Sequence, residues 1–125
     1  DVCASSSSNL ADENIRNTGG LKADWSDFDT VWCNHPYARG EPEQWLKKAA
    51  NADCETVVTL SKGDPSADWF HDYLTQAEIV CFPDKRIKFV GENNGAKFPN
   101  VFGVFGNCPD ELREWFESKG WVSEP

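Results

Sequence analysis

The sequence predicts an α/β fold: a central, mostly parallel sheet with an antiparallel edge, flanked by helices. Three observations predict it. Short β-branched, apolar runs alternate with amphipathic helical patterns, and strands separated by helices pair in parallel through crossovers. The last predicted strands have no helix between them, which suits antiparallel pairing at one edge. Hydrophobic residues make up 39 % of the 125 residues and aromatic residues 13 %, enough to fill a core. Neither an internal repeat nor a linker divides the chain, so residues 1–125 are expected to form a single domain.

Residues 1–20 are polar, with four serines at Ser5 to Ser8 and a Gly19-Gly20 pair. They are expected to form loop with a short helix around Ala11 to Arg16. Thr30-Val31-Trp32-Cys33 is a buried strand that breaks at Asn34-His35-Pro36-Tyr37. Pro42 opens a helix whose apolar face is Trp45, Leu46, Ala49 and Ala50. Thr56 to Leu60 is a strand. Asp64 and Pro65 supply an N-cap and a first helical residue for a helix bearing Trp69, Phe70, Tyr73 and Leu74. Strands follow at Glu78 to Phe82 and Arg86 to Val90, then an Asn93-Asn94-Gly95 turn and a strand at Val101 to Phe105. Asp110 to Lys119 is a closing helix ended by Gly120.

Twelve basic against twenty-one acidic residues give a net charge of −9. That excludes a sequence-blind DNA or membrane coat, which must neutralise phosphate with Lys and Arg, but leaves room for a nucleic-acid enzyme with a local basic patch. No apolar run approaches the roughly 20 residues of a membrane span, and no secretory signal pattern opens the chain. The five cysteines contain no Cys-x-x-Cys pair and are odd in number, which argues against structural zinc and a disulfide scaffold and for a reducing, cytoplasmic setting. The two histidines lack clustered acids, so no metal is expected. Methionine is absent even at position 1, which fits either a removed start Met or a polypeptide that begins further upstream.

Asn34-His35-Pro36-Tyr37 is the most informative tetrapeptide. In an open α/β sheet, ligands bind beyond the carboxyl ends of strands. Here that position holds an amide, a backbone carbonyl that Pro36 turns outward by forcing His35 extended, and an aromatic ring. Two carbonyls and a ring face suit an exocyclic amino group on a flat base: the acceptors localise the amine lone pair and the ring stacks. The same four residues also suit a Pro-containing turn in which Tyr37 merely packs. Lys85, Arg86 and Lys88 form the densest basic cluster, with Arg86 and Lys88 on one strand face; they suit phosphate contact or a solvated face equally. His71 is expected as a surface or half-buried residue of its helix rather than a ligand.

Trp32-Cys33-Asn34-His35-Pro36-Tyr37 resembles the Asn-Pro-Pro-Tyr motif of phage-type DNA N6-adenine methyltransferases, the Dam-like family. Asp1-Val2-Cys3-Ala4-Ser5 resembles that family's Asp-x-x-Ala segment. Leu21-x-x-Asp24-Trp25, Trp45-Leu46-x-Lys48-Ala49-Ala50, Trp69-Phe70-His71, Arg86-Ile87-Lys88-Phe89 and Phe98-Pro99-x-Val101 follow in the family's order. The resemblance implies a Rossmann-like fold dependent on S-adenosylmethionine, and a site-specific DNA adenine-N6 methyltransferase acting on double-stranded DNA in a bacterial host cytoplasm. It implies that Asn34 and the His35 carbonyl accept hydrogen bonds from the target amine, that Pro36 fixes the turn, and that Tyr37 stacks on the extruded adenine. It also implies that Asp1 and Ala4 line the cofactor site, with Asp24 either contacting the cofactor's adenosine or standing as an exposed loop acid. His35 departs from the family's Pro. A Thr-Pro element and first strand expected before Asp1 are not in this sequence, so the domain is expected to lack its N-terminal strand and helix. These departures and the acidity leave a rival: a catalytically inactive, methyltransferase-like acidic binding protein of phage origin. Methylation of another flat amine is a third possibility.

Overall fold

Val31 and Cys33 are buried along strand β1 (Thr30–Asn34), while Trp32 and Asn34 on the opposite face stay partly exposed. The two-residue period assigns one face of the strand to each of two cores. The computed structural model describes residues 1–16, 19–90 and 94–125. A four-residue helix α1 (Gly19–Lys22) precedes β1, and α2 (Glu41–Asn51), β2 (Thr56–Lys62), α3 (Asp68–Tyr73), β3 (Ile79–Pro83), β4 (Asn100–Gly106), α4 (Asp110–Glu117) and β5 (Gly120–Ser123) follow it. The strands form one sheet in the order β1-β2-β4-β3-β5.

The expected mostly parallel sheet is not what forms. Only β1 and β2 pair in parallel; the β2–β4, β3–β4 and β3–β5 pairs are antiparallel. The cause is β4. No helix lies among the described residues between β3 and β4, so the chain returns without a crossover and β4 runs opposite to β3. All of Asn100 to Phe105 is buried, so this strand sits in the middle of the sheet rather than at an edge. The edge beside β3 is taken by β5, where Gly120 had been expected only to end a helix. A β-carbon at Gly120 would stand 2.0 Å from the Phe82 carbonyl oxygen, so only glycine lets β5 close on β3.

With that edge occupied, Arg86 to Val90 finds no ladder partner and is not a strand. It keeps the predicted alternation: Ile87 and Phe89 are half-buried, Arg86 and Lys88 exposed, and the Ala96 amide donates to the Ile87 carbonyl at 2.8 Å. Ala11 to Arg16 is not helical either. Asn14 exchanges two hydrogen bonds with the Ala11 backbone, and the Arg16 guanidinium gathers the Ser5 and Ser8 carbonyls. Such side-chain bonds compete with helix. Asp64 and Pro65 do not start α3: the Asp64 carboxylate accepts from the Ser66 amide and hydroxyl in a turn, and Ala67 precedes the helix. The Asn93 part of the predicted turn lies outside the described residues.

One core joins the α2 and α3 face of the sheet through Trp45, Leu46, Ala49, Trp69, Val57 and Phe105. The other lies under α4, where Phe116 meets Leu60, Ile79, Cys81 and Phe102. α4 covers only part of that second face. An apolar groove of about 550 Å³ remains open over β1 and β2, walled by Trp32, Val58, Leu60, Phe89 and Trp115.

Candidate active site

Asn34 is the last residue of β1, and the chain then turns through His35, Pro36 and Tyr37. The Tyr37 hydroxyl comes back to donate to Asn34 Oδ1 at 3.1 Å, closing a four-residue loop. The Tyr37 ring stands edge-on between His35 and Phe98, with centroids 5.4 and 5.5 Å away. Burial pushes its phenol up to about 12, against a hydrogen bond from Asn100 that acts the other way. Tyr37 is therefore a neutral donor at any working pH.

His35 is 3 % exposed, and its ring points into the fold rather than toward a ligand. Nδ1 lies 2.8 Å from the Pro36 carbonyl, an acceptor only, so Nδ1 carries the hydrogen. Nε2 then has a lone pair and accepts the Ser61 hydroxyl at 2.7 Å. Desolvation holds the imidazole below its ordinary pKa, so this neutral tautomer persists. The side chain is structural; what it leaves for chemistry is its backbone carbonyl. Among the described residues no loop or turn amide donates to that carbonyl.

Ser61 and Asn100 complete the site, and neither was singled out from the sequence. Ser61 is fully buried, and Asn100 Nδ2 donates to the Ser61 carbonyl at 3.2 Å and to the Tyr37 hydroxyl at 3.4 Å. The available signal was a polar residue ending a hydrophobic run: Ser61 after Leu60, and Asn100 before Val101.

The remaining candidates scatter. Asn34 and Lys88 line the same apolar groove; Arg86 does not, its guanidinium reaching the Ala96 carbonyl at 3.5 Å. The Val2 amide donates to the Trp32 carbonyl at 3.1 Å, which lays residues 1–4 beside β1. Asp1 lines a neighbouring cleft of about 680 Å³ with Asp12, Glu13, Asp27, Phe28 and Asp29, and that cleft shares Thr30, Val31 and Trp32 with the apolar groove. Ala4 is fixed by its amide to the Ile15 carbonyl at 2.9 Å. Asp24 is exposed, caps a tight turn by accepting from the Ser26 amide and hydroxyl, and borders a separate hollow with Lys48; those bonds hold its carboxyl below the usual range.

A family model described as DNA N-6-adenine-methyltransferase (Dam) matches residues 1–102. The chain belongs to the Dam family. DNA adenine methyltransferase activity is the property of that family. No curated protein and no solved structure gave a match. The Dam match takes in Asn34 to Tyr37, Ser61 and Asn100, and ends within β4, so α4 and β5 lie beyond it. Among the described residues of this Dam chain, no helix is long and apolar enough to cross a membrane.

Proposed function

We propose that this Dam-family chain transfers a methyl group from S-adenosylmethionine to N6 of adenine in double-stranded DNA. The observation that carries the reading is the Asn34 side-chain carbonyl, held by Tyr37 at the carboxyl end of β1 with the His35 carbonyl one residue away. Adenine N6 is a poor nucleophile because its lone pair is delocalised into the ring. Asn34 Oδ1 and the His35 oxygen accept its two hydrogens, which keeps the lone pair on nitrogen and orients it. Pro36 holds the turn, and the Tyr37 ring stacks on the extruded base. Lys88, which lines the same groove as Asn34, meets a phosphate, with Arg86 outside it as a second contact.

S-adenosylmethionine, when bound, supplies an electrophilic methyl on a sulfonium. The cleft beside β1 suits such a cation: Asp1, Asp27 and Asp29 face it with negative charge, and Phe28 and Trp32 offer flat surfaces. Ala4 would support this wall, and Asp24 would be limited to an outer contact. A Rossmann-like cofactor arrangement belongs to the same reading, supported by the parallel β1–β2 pair joined through α2.

The test is transfer of labelled methyl from S-adenosylmethionine to adenine-containing duplex DNA, with Asn34→Ala beside the parent. Loss of one preorganised acceptor is expected to slow transfer by about 100- to 1,000-fold, with cofactor affinity by calorimetry nearly unchanged. A parental rate in Asn34→Ala removes this loop as the site. The net charge of −9 favours a second reading, a methyltransferase-like protein that binds without catalysis. A parent that transfers no methyl to any duplex decides for it.

A further inference from the structure

The polar relay beneath Tyr37 has a direction, and Asn100 sets it. Asn100 is 5 % exposed and opens β4, a strand that is otherwise apolar. Its Nδ2 lies 3.2 Å from the Ser61 carbonyl and 3.4 Å from the Tyr37 oxygen. A carbonyl can only accept, so Ser61 dictates that the nitrogen of the Asn100 amide, and not its oxygen, stands on that side. The second Nδ2 hydrogen then falls to the Tyr37 oxygen. The hydroxyl's own hydrogen must point elsewhere, and Asn34 Oδ1 takes it at 3.1 Å. That donor in turn decides which way round the Asn34 amide stands.

We propose that Asn100 is a positioning residue: through Tyr37 it keeps the carbonyl, rather than the NH2, of Asn34 in place to accept from the substrate amine. The proposal rests on the methyl-transfer reading above. A carbonyl oxygen has two lone pairs, so Tyr37 occupies one and leaves the other for the amine. Without Asn100 the Tyr37 hydroxyl is free to accept from Asn34 instead, and a turned Asn34 amide would set a donor against a donor. A second observation points the same way. Asn100 Oδ1 is buried with no hydrogen-bond partner among the described residues. An orphaned acceptor costs stability, so what this amide contributes is the pair of hydrogens it gives to the Ser61 carbonyl and the Tyr37 oxygen.

The experiment compares the parent with Asn100→Leu and Asn100→Ala. The chain has two tyrosines, Tyr37 and Tyr73, so tyrosine labelled at Cζ gives a two-signal carbon spectrum. In a folded variant the Tyr37 signal and the Asn34 side-chain amide signals are expected to shift, and the Tyr73 signal to stay. Methyl-transfer kcat is expected to fall about tenfold, the equivalent of one ordinary hydrogen bond, with S-adenosylmethionine affinity within about twofold of the parent. Unshifted Tyr37 and Asn34 signals overturn the relay. Shifted signals beside a parental kcat overturn the positioning role. Loss of fold in both variants assigns Asn100 to packing and overturns the proposal as well. A parent without activity overturns the function proposed above, and the resonances then decide the relay alone.

Discussion

His35 reaches from the end of β1 to Ser61 in β2, its Nε2 taking the Ser61 hydroxyl hydrogen across 2.7 Å. This contact exists because the chain carries histidine where the family motif has proline. Reverting it, His35→Pro, keeps the backbone carbonyl but strands a fully buried hydroxyl. We expect a stability loss of about 1–3 kcal/mol, read as a lower urea midpoint. Adding Ser61→Ala removes the stranded group and should recover part of the loss. Equal midpoints for parent and His35→Pro would refute the structural role of the ring.

The same histidine makes stability depend on pH. Burial lowers its folded pKa, whereas in the unfolded chain it titrates near the ordinary value of about 6.5. Below pH 6.5 the unfolded chain therefore binds a proton that the folded chain refuses, and stability falls as pH falls. The slope approaches about 1.4 kcal/mol per pH unit until the folded pKa is reached. His35→Gln should flatten urea midpoints between pH 7 and 5. Losses at lower pH belong to carboxylates such as Asp24 and Asp64, whose pKa values their serine hydrogen bonds depress. A parent midpoint that does not change from pH 7 to 5 would contradict this assignment.

On the proposed reading Tyr37 has two tasks, and substitution separates them. Tyr37→Phe keeps the ring between His35 and Phe98 but removes the hydroxyl that reaches Asn34. It should lower methyl-transfer kcat by about tenfold and leave duplex affinity unchanged. Tyr37→Ala should in addition weaken binding by about 1–3 kcal/mol through the lost stacking surface, measured by fluorescence anisotropy with adenine-containing duplex. Equal effects of the two changes on affinity would take the ring out of base binding.

Lys88 shares the groove with Asn34, whereas the Arg86 guanidinium is engaged by a backbone carbonyl. Lys88→Ala should therefore weaken DNA binding more than Arg86→Ala, and lower the salt dependence of log affinity by about one phosphate contact. The measurement is a salt titration of duplex binding. The reverse order would place the DNA backbone elsewhere.

Much of this was legible in the sequence because it is local. The run from Thr30 to Cys33, the helix around Trp45 and the strand at Thr56 each carry their own periodicity, and the position of Asn34 at a strand end follows from the first. What was not legible depends on partners distant in the chain. Arg86 to Val90 has the alternation of a strand, but Gly120 to Ser123, far along the chain, takes the edge of β3 instead. Asn100 and Ser61 stand 39 residues apart and look like unremarkable polar residues until the β2–β4 register sets Asn100 opposite Lys62, next to Ser61. His35 was read for its carbonyl; its ring proved to be a buried strut, which a two-residue spacing from Cys33 on the core-facing side of β1 already hinted at.

The central position of β4 also constrains the order in which this protein can be made. β2 and β3 are both synthesised before β4, yet they do not pair with each other, and the strand that joins them comes later, with Thr56 waiting for Gly106 and Ile79 for Val104. A ribosome-bound chain that has emerged only as far as β3 therefore exposes strand edges with no cognate neighbour. Closing loops of this length costs entropy before any ladder compensates, and open edges in the interval recruit other chains. Productive folding here is a late, collective event that waits for β4, and the growing chain is a natural client for whatever shields nascent polypeptides.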